Sequence, residues 1–318
     1  MLWYKKEMRD NLILFVSGRC DIPAFYSTWF FNRLQEGFVD VRNPFNPHQI
    51  SRIYLNEQNI DGILFCTKNP IPMMNRLEEV PFLYQFQITL TPYHEDIEEH
   101  VASKKEIVNA VREMSLRLGK DRVIVRYDPI LLTPKYTVEY HRRAFEKLCS
   151  QLEGYVDTII ISFVDMYKNT AGNQKRMQLQ EMRRQDMLDV GKALGSVAER
   201  YAVHIQTCAE DIDLSPYHIH KGLCMDRKKL ERLVQHSLDH IQGKGVRSVC
   251  GCMPTVDIGD YNCCPHGCRY CYANYNEKQI AERMKLHDPQ SSVLLGHLDE
   301  EDKITIREDK HIRQISLL

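Results

Sequence analysis

Two kinds of segment alternate along the first two thirds of this chain: short apolar runs rich in β-branched residues, and longer stretches with helical spacing. The runs that predict strands are Leu12–Val16, Gly62–Cys66, Tyr84–Leu90, Val123–Arg126, Thr158–Phe163 and Val203–Thr207, with Val39–Arg42 as a weaker candidate. The stretches that predict helices are Phe25–Gln35, Lys104–Leu118, Val138–Leu152 and Gln178–Tyr201. Such alternation is typical of an α/β fold with a mainly parallel sheet.

Three of the predicted helices carry end signals. Ser103 and Glu106 have the spacing of a capping box at the start of the second helix, and Gly119 follows its last residue. Gly37 and Gly154 stand just beyond the first and the third. These signals predict where the helices begin and end.

Polar, chemically capable residues follow nearly every predicted strand. These segments are Ser17–Asp21, Thr67–Asn69, Thr89–Thr91, Arg126–Asp128, Ser162–Asp165 and Thr207–Glu210. Barrels build their active sites from the carboxyl ends of many strands, whereas an open sheet concentrates its ligand groups at one switch point. The sequence therefore predicts a full or partial (β/α) TIM-like barrel. It contains neither G-x-G-x-x-G nor G-x-x-x-x-G-K-[ST], the two commonest nucleotide-binding fingerprints.

The character of the chain changes after residue 208. Seven of its 11 cysteines fall between residues 209 and 276, and residues 277–318 are polar and charged. We therefore expect a barrel core over residues 1–208, a cysteine-rich iron–sulfur region over 209–276 that packs on the strand ends, and a C-terminal extension over 277–318.

The composition indicates which cellular compartment and which classes of binding partner we expect. Residues 1–11 are charged and lack the pattern of a secretory signal, and no apolar run approaches the roughly 20 residues of a membrane span. We expect a cytoplasmic protein with no membrane partner, in which cysteines serve metal or redox chemistry rather than disulfides. A net charge of −1 in 318 residues argues against a basic coat for nucleic acid, but leaves room for a local basic cleft.

The sharpest local signal is the segment Cys264-Pro265-His266-Gly267-Cys268-Arg269-Tyr270-Cys271, a C-x-x-x-C-x-x-C pattern with a tyrosine before the last cysteine. Three thiolates on one tight loop can hold three irons of a four-iron cluster and leave the fourth iron open to a substrate or cofactor. A zinc site is the alternative, and it needs a fourth ligand such as Cys263, Cys250 or Cys252. Zinc sites more often show two separated C-x-x-C pairs.

The remaining cysteines divide by their positions. Four from different loops are enough for a second, fully ligated cluster that relays electrons to the first: Cys208, Cys224, Cys250 and Cys252. The alternative is that some of them pack as small apolar residues. Cys66 and Cys149 lie within predicted elements and are expected in the core, and Cys20 and Cys263 stay unassigned.

Charged residues at the strand ends suit a polar or anionic ligand. Arg19 and Asp21 follow the first strand and could bind a phosphate-bearing substrate, or Asp21 could cap the helix that begins near Pro23. Lys68 and Arg126 are expected in one mouth, where Arg42 could clamp an anion bidentately. The alternative is that these cations pair with Asp128, Asp165 and Glu210. Four tyrosines are expected to shield a cluster from water: Tyr261, Tyr270, Tyr272 and Tyr275.

The cysteine spacing and Tyr270 resemble the motif of the radical S-adenosylmethionine superfamily. The resemblance implies that the open iron binds the amino and carboxylate groups of S-adenosylmethionine. An electron, supplied by a donor such as flavodoxin or ferredoxin, then cleaves the sulfonium to a 5′-deoxyadenosyl radical that abstracts hydrogen from a substrate. Thr67-Lys68 and Arg126-x-Asp128 are similar to positions in its spore photoproduct lyase branch. The candidate catalytic residues are Arg126 and Asp128, by this resemblance, and Arg19 and Asp21, by their position after the first strand. The candidate cofactor-binding residues are Tyr270, Thr67 and Lys68, by the resemblance, and Arg42, as an anion clamp.

Several other strings resemble a family of uncharacterised bacterial proteins, a domain of unknown function with a C-terminal cysteine cluster like that of the radical enzymes. The strings are Cys20–Tyr26, Val41–Pro47, Thr67–Pro70, Arg126–Ile130, Cys250–Cys252 and Asp257–Tyr261. The resemblance covers residues 12–276 and implies no particular substrate.

The chain departs from the radical superfamily in two ways. The cluster loop normally follows the first strand but here comes last, and no Gly-Gly-Glu string follows a second strand to bind the methionyl amine. Three functions stay open at this point: a radical S-adenosylmethionine enzyme acting on an unknown small-molecule substrate, a non-catalytic or electron-transfer iron–sulfur protein, and a zinc-stabilised barrel that binds or hydrolyses a small phosphate ester.

Overall fold

The structure is a computed structural model that describes residues 12–243 and 250–307; the charged residues 1–11 discussed above lie outside these ranges. The strands are β1 (Leu12–Val16), β2 (Phe38–Asn43), β3 (Asn46–Tyr54), β4 (Ile60–Thr67), β5 (Tyr84–Thr89), β6 (Val123–Ile130), β7 (Thr158–Phe163), β8 (His204–Cys208), β9 (Ile219–Gly222), β10 (Val256–Asp257) and β11 (Lys303–Ile306). The helices are α1 (Ile22–Phe25), α2 (Ser27–Glu36), α3 (Lys104–Leu118), α4 (Val138–Leu152), α5 (Ala171–Arg176), α6 (Arg184–Arg200), α7 (Arg227–Val234) and α8 (Glu277–Met284).

The main sheet has eight parallel strands in the order β10-β1-β4-β5-β6-β7-β8-β9. The six strands predicted from apolar runs are confirmed, and they are the consecutive members from β1 to β8. The chain winds in one direction as far as β9 and then returns, so that β10 pairs with β1 on its other side. This arrangement confirms the α/β class.

The sheet is not closed into a barrel by the strands that the structure describes. Its two edge strands, β9 and β10, have no pairing with each other among those residues. Both are short, four and two residues long, so each offers few backbone groups to a ladder. The prediction of a full barrel is therefore not confirmed.

The two faces of the sheet are covered differently. Successive side chains along a strand alternate between faces, and one set packs against α2, α3, α4 and α6 in the largest core cluster, which includes Leu14, Phe65 and Phe86. We call the opposite side, which carries Ile13 and Leu64, the inner face. Residues from 224–241 and 250–253 cover it and form a separate apolar cluster. The cysteine-rich region thus packs on a face of the sheet as well as on its strand ends.

A second, smaller sheet contains β2, β3 and β11. The central strand β3 is antiparallel to β2 and parallel to β11. The weak candidate Val39–Arg42 is confirmed as a strand, but it belongs to this sheet. The C-terminal extension docks here and on α2, where the Trp29 indole Nε1 donates to the Ser291 carbonyl over 2.8 Å. This docking takes Arg42 away from the ends of the parallel strands. Among the described residues, no helix is long and apolar enough to cross a membrane.

The predicted helices are present, but some of them begin or end at other residues than predicted. α3 and α4 have the predicted bounds, and Gly119 ends α3 with a φ of 87° while its N–H donates to the Ser115 carbonyl. The capping box is wrong, because the Ser103 side chain makes no capping hydrogen bond. The long helix predicted from Gln178 begins at Arg184 instead, since Gln178 has a φ of 52° that interrupts helical geometry.

Gly195 in α6 should tolerate no side chain. A Cβ there would lie 2.3 Å from the Tyr217 carbonyl oxygen, whereas one at Gly172 in α5 would meet nothing within 4 Å. We expect Gly195→Ala to lower the free energy of unfolding by about 1–3 kcal/mol through overpacking, despite alanine's better helix propensity. Gly172→Ala should be neutral or slightly stabilising. Urea unfolding of both variants checks this, and equal stabilities would contradict the packing described.

Candidate metal centre at the strand ends

The strand β10 brings the cysteine loop to the strand ends. Because β10 runs parallel to β1 beside it, the segments that follow the two strands leave the sheet at the same edge. Asp257, the last residue of β10, accepts hydrogen bonds from the Gly18 N–H over 2.8 Å and from the Arg19 Nε over 3.3 Å. A loop that comes late in the sequence therefore lies where the loop after a first strand would.

The loop itself is shaped by one side chain. The Asn274 Oδ1 accepts from the backbone N–H groups of Cys263 and Cys264, over 2.8 and 2.9 Å, and its Nδ2 donates to the Arg19 carbonyl over 2.8 Å. Gly267 has a φ of 67°, a conformation that favours glycine. The hydrogen bonds of Asn274 and the conformation of Gly267 thus determine the backbone geometry of the loop.

The three thiols of the loop are sheltered but separate. Cys264 is buried, and Cys268 and Cys271 are half-buried. In the described part of the chain their sulfurs do not all lie within 4.8 Å of one another. Burial raises the pKa of the Cys264 thiol, and it raises that of Cys268 to about 12 although the nearby Lys68 ammonium opposes the shift. A metal that binds here would have to displace the protons of Cys264 and Cys268.

A buried carboxylate that the sequence analysis did not single out supports the loop. Glu98 accepts from the Lys68 Nζ over 2.7 Å, from the Thr91 hydroxyl over 2.6 Å and from the Tyr270 hydroxyl over 2.5 Å. Lys104 forms an ion pair with its second oxygen. Burial alone would raise the pKa of the Glu98 carboxyl, but the two ammonium groups hold it well below its usual value.

The Glu98 backbone also meets the loop. Glu98 and Cys268 form an antiparallel bridge, and the Arg269 N–H donates to the Ile97 carbonyl over 2.9 Å. The side chain and the backbone of one residue therefore both fix the middle of the cysteine loop.

Asp21 has a structural set of partners. It caps α1 by accepting from the Ala24 N–H, and it accepts from the Thr67 hydroxyl over 2.6 Å and from the Lys68 N–H over 2.8 Å. The His266 Nε2 lies 2.7 Å from its Oδ2. The alternative in which Asp21 caps a helix is thus observed, and Asp21 also ties the loop after β1 to β4 and to the cysteine loop.

One of the two ring nitrogens of His266 makes no hydrogen bond within the described residues. His266 stands between Cys264 and Cys268 and is 4% exposed, yet its Nδ1 has no hydrogen-bond partner in the described part of the chain. When Nε2 donates to Asp21, the Nδ1 of a neutral ring is an acceptor. A buried acceptor with no partner is costly unless a ligand fills it.

The other predicted site residues fall into different places. Arg126 pairs with Asp128 and donates to the Gln87 Oε1 over 2.8 Å. Burial would lower the pKa of Arg126, but Asp128 and the neighbouring thiols raise it well above its ordinary value. Arg42 is not brought to the strand ends, because its guanidinium donates to Asp302 over 2.8 Å in the smaller sheet.

The remaining cysteines also lie in different parts of the fold. The four candidates for a second site gather on the inner face, where the sulfurs of Cys224 and Cys252 are 3.3 Å apart. Cys149 is fully buried in α4, as expected of a core residue, whereas Cys66 is half-buried. Cys20 and Cys263, unassigned from sequence, hydrogen-bond to each other beside the loop.

Removing the Asp21 carboxylate should loosen this site. We expect Asp21→Ala to lower the free energy of unfolding by about 2–4 kcal/mol, because it removes a helix cap and leaves buried Thr67 and His266 groups without a partner. Thermal unfolding checks this against Asp211→Ala, at an exposed position. A loss at Asp21 no greater than that at Asp211 would contradict the network.

Comparison with known proteins gives one match. A protein-family profile described as a domain of unknown function (DUF1848) matches residues 13–273, from β1 to just beyond Cys271. None of the curated proteins matches the chain.

Proposed function

The chain belongs to the DUF1848 family, and we propose that it is an iron–sulfur protein whose Cys264, Cys268 and Cys271 bind a four-iron cluster with one iron left open. The observation that carries the proposal is a loop with three sheltered thiols, held over the strand ends by Asn274 and Glu98.

The number of thiols favours a cluster over a single zinc ion. Three thiolates on one loop hold three irons of a four-iron cluster and leave the fourth iron open. A structural zinc ion needs a fourth ligand besides these three.

The charges around the loop suit an anionic cluster. A four-iron core with three thiolates carries net negative charge, and the Lys68 ammonium stands close enough to Cys268 to oppose the rise that burial causes in the pKa of its thiol. Glu98 compensates only one of its two lysines, Lys68 and Lys104, so their group is a net cation. This cation would stabilise thiolates in a buried site.

The position of the loop in the fold also supports the proposal. We interpret the main sheet as a partial (β/α) barrel that is open between β9 and β10. In a closed barrel of eight strands the last pairs with the first, and β10 has that position beside β1. A loop after β10 then belongs to the mouth, at the carboxyl ends of the strands.

The activity we propose follows the radical S-adenosylmethionine superfamily. The cluster would supply one-electron reduction of a bound sulfonium. In this chain no Gly-Gly-Glu string is present for the methionyl amine, and the partnerless, buried Nδ1 of His266 offers an acceptor within the loop. Asp21 would hold the opposite side of the ring so that Nδ1 stays an acceptor.

The test is anaerobic incubation of the purified protein with a reductant and S-adenosylmethionine, followed by measurement of 5′-deoxyadenosine. We expect the nucleoside to form, and His266→Phe to lower its yield at low S-adenosylmethionine more than at saturation. A brown protein that forms none would support the electron-transfer alternative. A colourless protein with stoichiometric zinc would support the zinc-stabilised barrel.

A further inference from the structure

Four cysteines from three separate segments meet on the inner face of the sheet. Cys208 ends β8, Cys224 follows β9, and Cys250 and Cys252 precede β10. The sulfurs of Cys224 and Cys252 are 3.3 Å apart. The side chain of Cys224 is also a close neighbour of Cys208, and that of Cys252 of Cys250. The four thiols therefore form one continuous group.

The surroundings of these thiols are apolar on one side and hold an ion pair on the other. Cys252 packs in the inner-face cluster with Ile13, Leu64 and Met253, and Cys224 lies against it. The Arg126 guanidinium, which pairs with Asp128, faces Cys208 and Cys224 from β6. A single buried cysteine needs no explanation beyond packing, but four that converge do.

We propose that Cys208, Cys224, Cys250 and Cys252 form a second metal centre, fully ligated by thiolates and separate from the cysteine loop. Thiolate ligands select thiophilic metals, so the occupant is an iron–sulfur cluster or a zinc ion. Four thiolates around either occupant leave net negative charge, and the Arg126 guanidinium of the Arg126–Asp128 pair lies beside Cys208 and Cys224. The site needs no contribution from Cys264, Cys268 or Cys271, so it stands whether or not the loop binds a cluster.

Metal analysis distinguishes the two occupants. A zinc ion binds its four thiolates at one metal, whereas a cluster binds them on separate irons and brings inorganic sulfide.

The test starts from a variant that lacks the loop ligands, with Cys264, Cys268 and Cys271 all replaced by alanine. Purified without oxygen, it should retain about two or four irons per chain with equal sulfide if the occupant is a cluster, or about one zinc if it is an ion. Adding Cys224→Ser should remove that metal, and adding Cys149→Ser instead should not. No stoichiometric metal in the starting variant, or a Cys224–Cys252 disulfide in non-reducing mass spectrometry, would overturn the proposal.

X-ray absorption on the same starting variant needs no change at the second site itself, so it covers the case in which Cys224→Ser does not fold. We expect only sulfur neighbours at about 2.3 Å from the metal; nitrogen or oxygen neighbours from protein would overturn the assignment. The proposed function fails separately, when wild-type protein carries no more metal than the starting variant.

Discussion

Cys268→Ala should remove about four irons per chain from the anaerobically purified protein and abolish 5′-deoxyadenosine formation. Cys268 is the middle ligand of the loop, and its backbone bridges to Glu98, so no neighbouring thiol can take its place without moving the loop. With two of three protein ligands left, an open-site cluster should be lost rather than retained with low activity. Iron analysis and chromatographic measurement of the nucleoside give the two readouts.

Cys149→Ala is the matched control for Cys268→Ala. Cys149 is completely buried in α4 among apolar residues, so its loss should cost about 1–2 kcal/mol of stability and leave iron and product unchanged. If the two variants lose iron equally, the assignment of ligands is wrong.

Glu98→Gln should be the most destabilising single change near the loop, at about 3–5 kcal/mol. The side chain of Glu98 is fully buried and holds Lys68, Lys104, Thr91 and Tyr270. The neutral amide would leave the buried Lys68 ammonium without a counter-charge. Urea unfolding measures the loss, with Glu99→Gln as the control. Glu99 makes long pairs at the surface, at 3.6 Å with Arg269 and at 4.0 Å with His100, so the loss on replacing it should stay below about 1 kcal/mol.

The effect of Glu98 should depend on pH in a defined direction. Its folded pKa lies below the usual value, so its stabilisation is fully present above the unfolded pKa of about 4.3 and is lost as pH falls further, toward the folded pKa. Wild-type and Glu98→Gln stabilities should therefore converge below about pH 4. A difference that stays constant from pH 7 to pH 3 would contradict the ion pairs.

Local patterns predicted the strands that contain an apolar run or an alternation, and they failed for strands that depend on pairing with distant segments. β1, β4 and β7 contain continuous apolar runs because both faces of a parallel sheet are covered. In β5 and β8, apolar and polar residues alternate. β9 contains His220 and Lys221, and β10 is two residues long, so neither carries a period that a sequence can reveal. β3 and β11 are largely exposed and depend on docking of the C-terminal extension.

The candidate site divides in the same way. The cysteine loop can be recognised in the sequence because its three cysteines lie within eight residues. The four inner-face cysteines could be proposed as a group, but the sequence does not show that they lie close together in the fold. Glu98 lies beyond β5 in a loop without a motif, so its burial between two lysines was not predictable. Arg42 was grouped with the mouth, but β2 belongs to the smaller sheet, a division that depends on residues 302–306 far along the chain.

Iron and acid-labile sulfide analysis of the wild-type protein, purified without oxygen, tests the central claim most directly. The cysteine loop predicts a brown protein with at least about four irons and four sulfides per chain, of which about four of each disappear in Cys268→Ala. A colourless protein that contains stoichiometric zinc and no sulfide would contradict the claim.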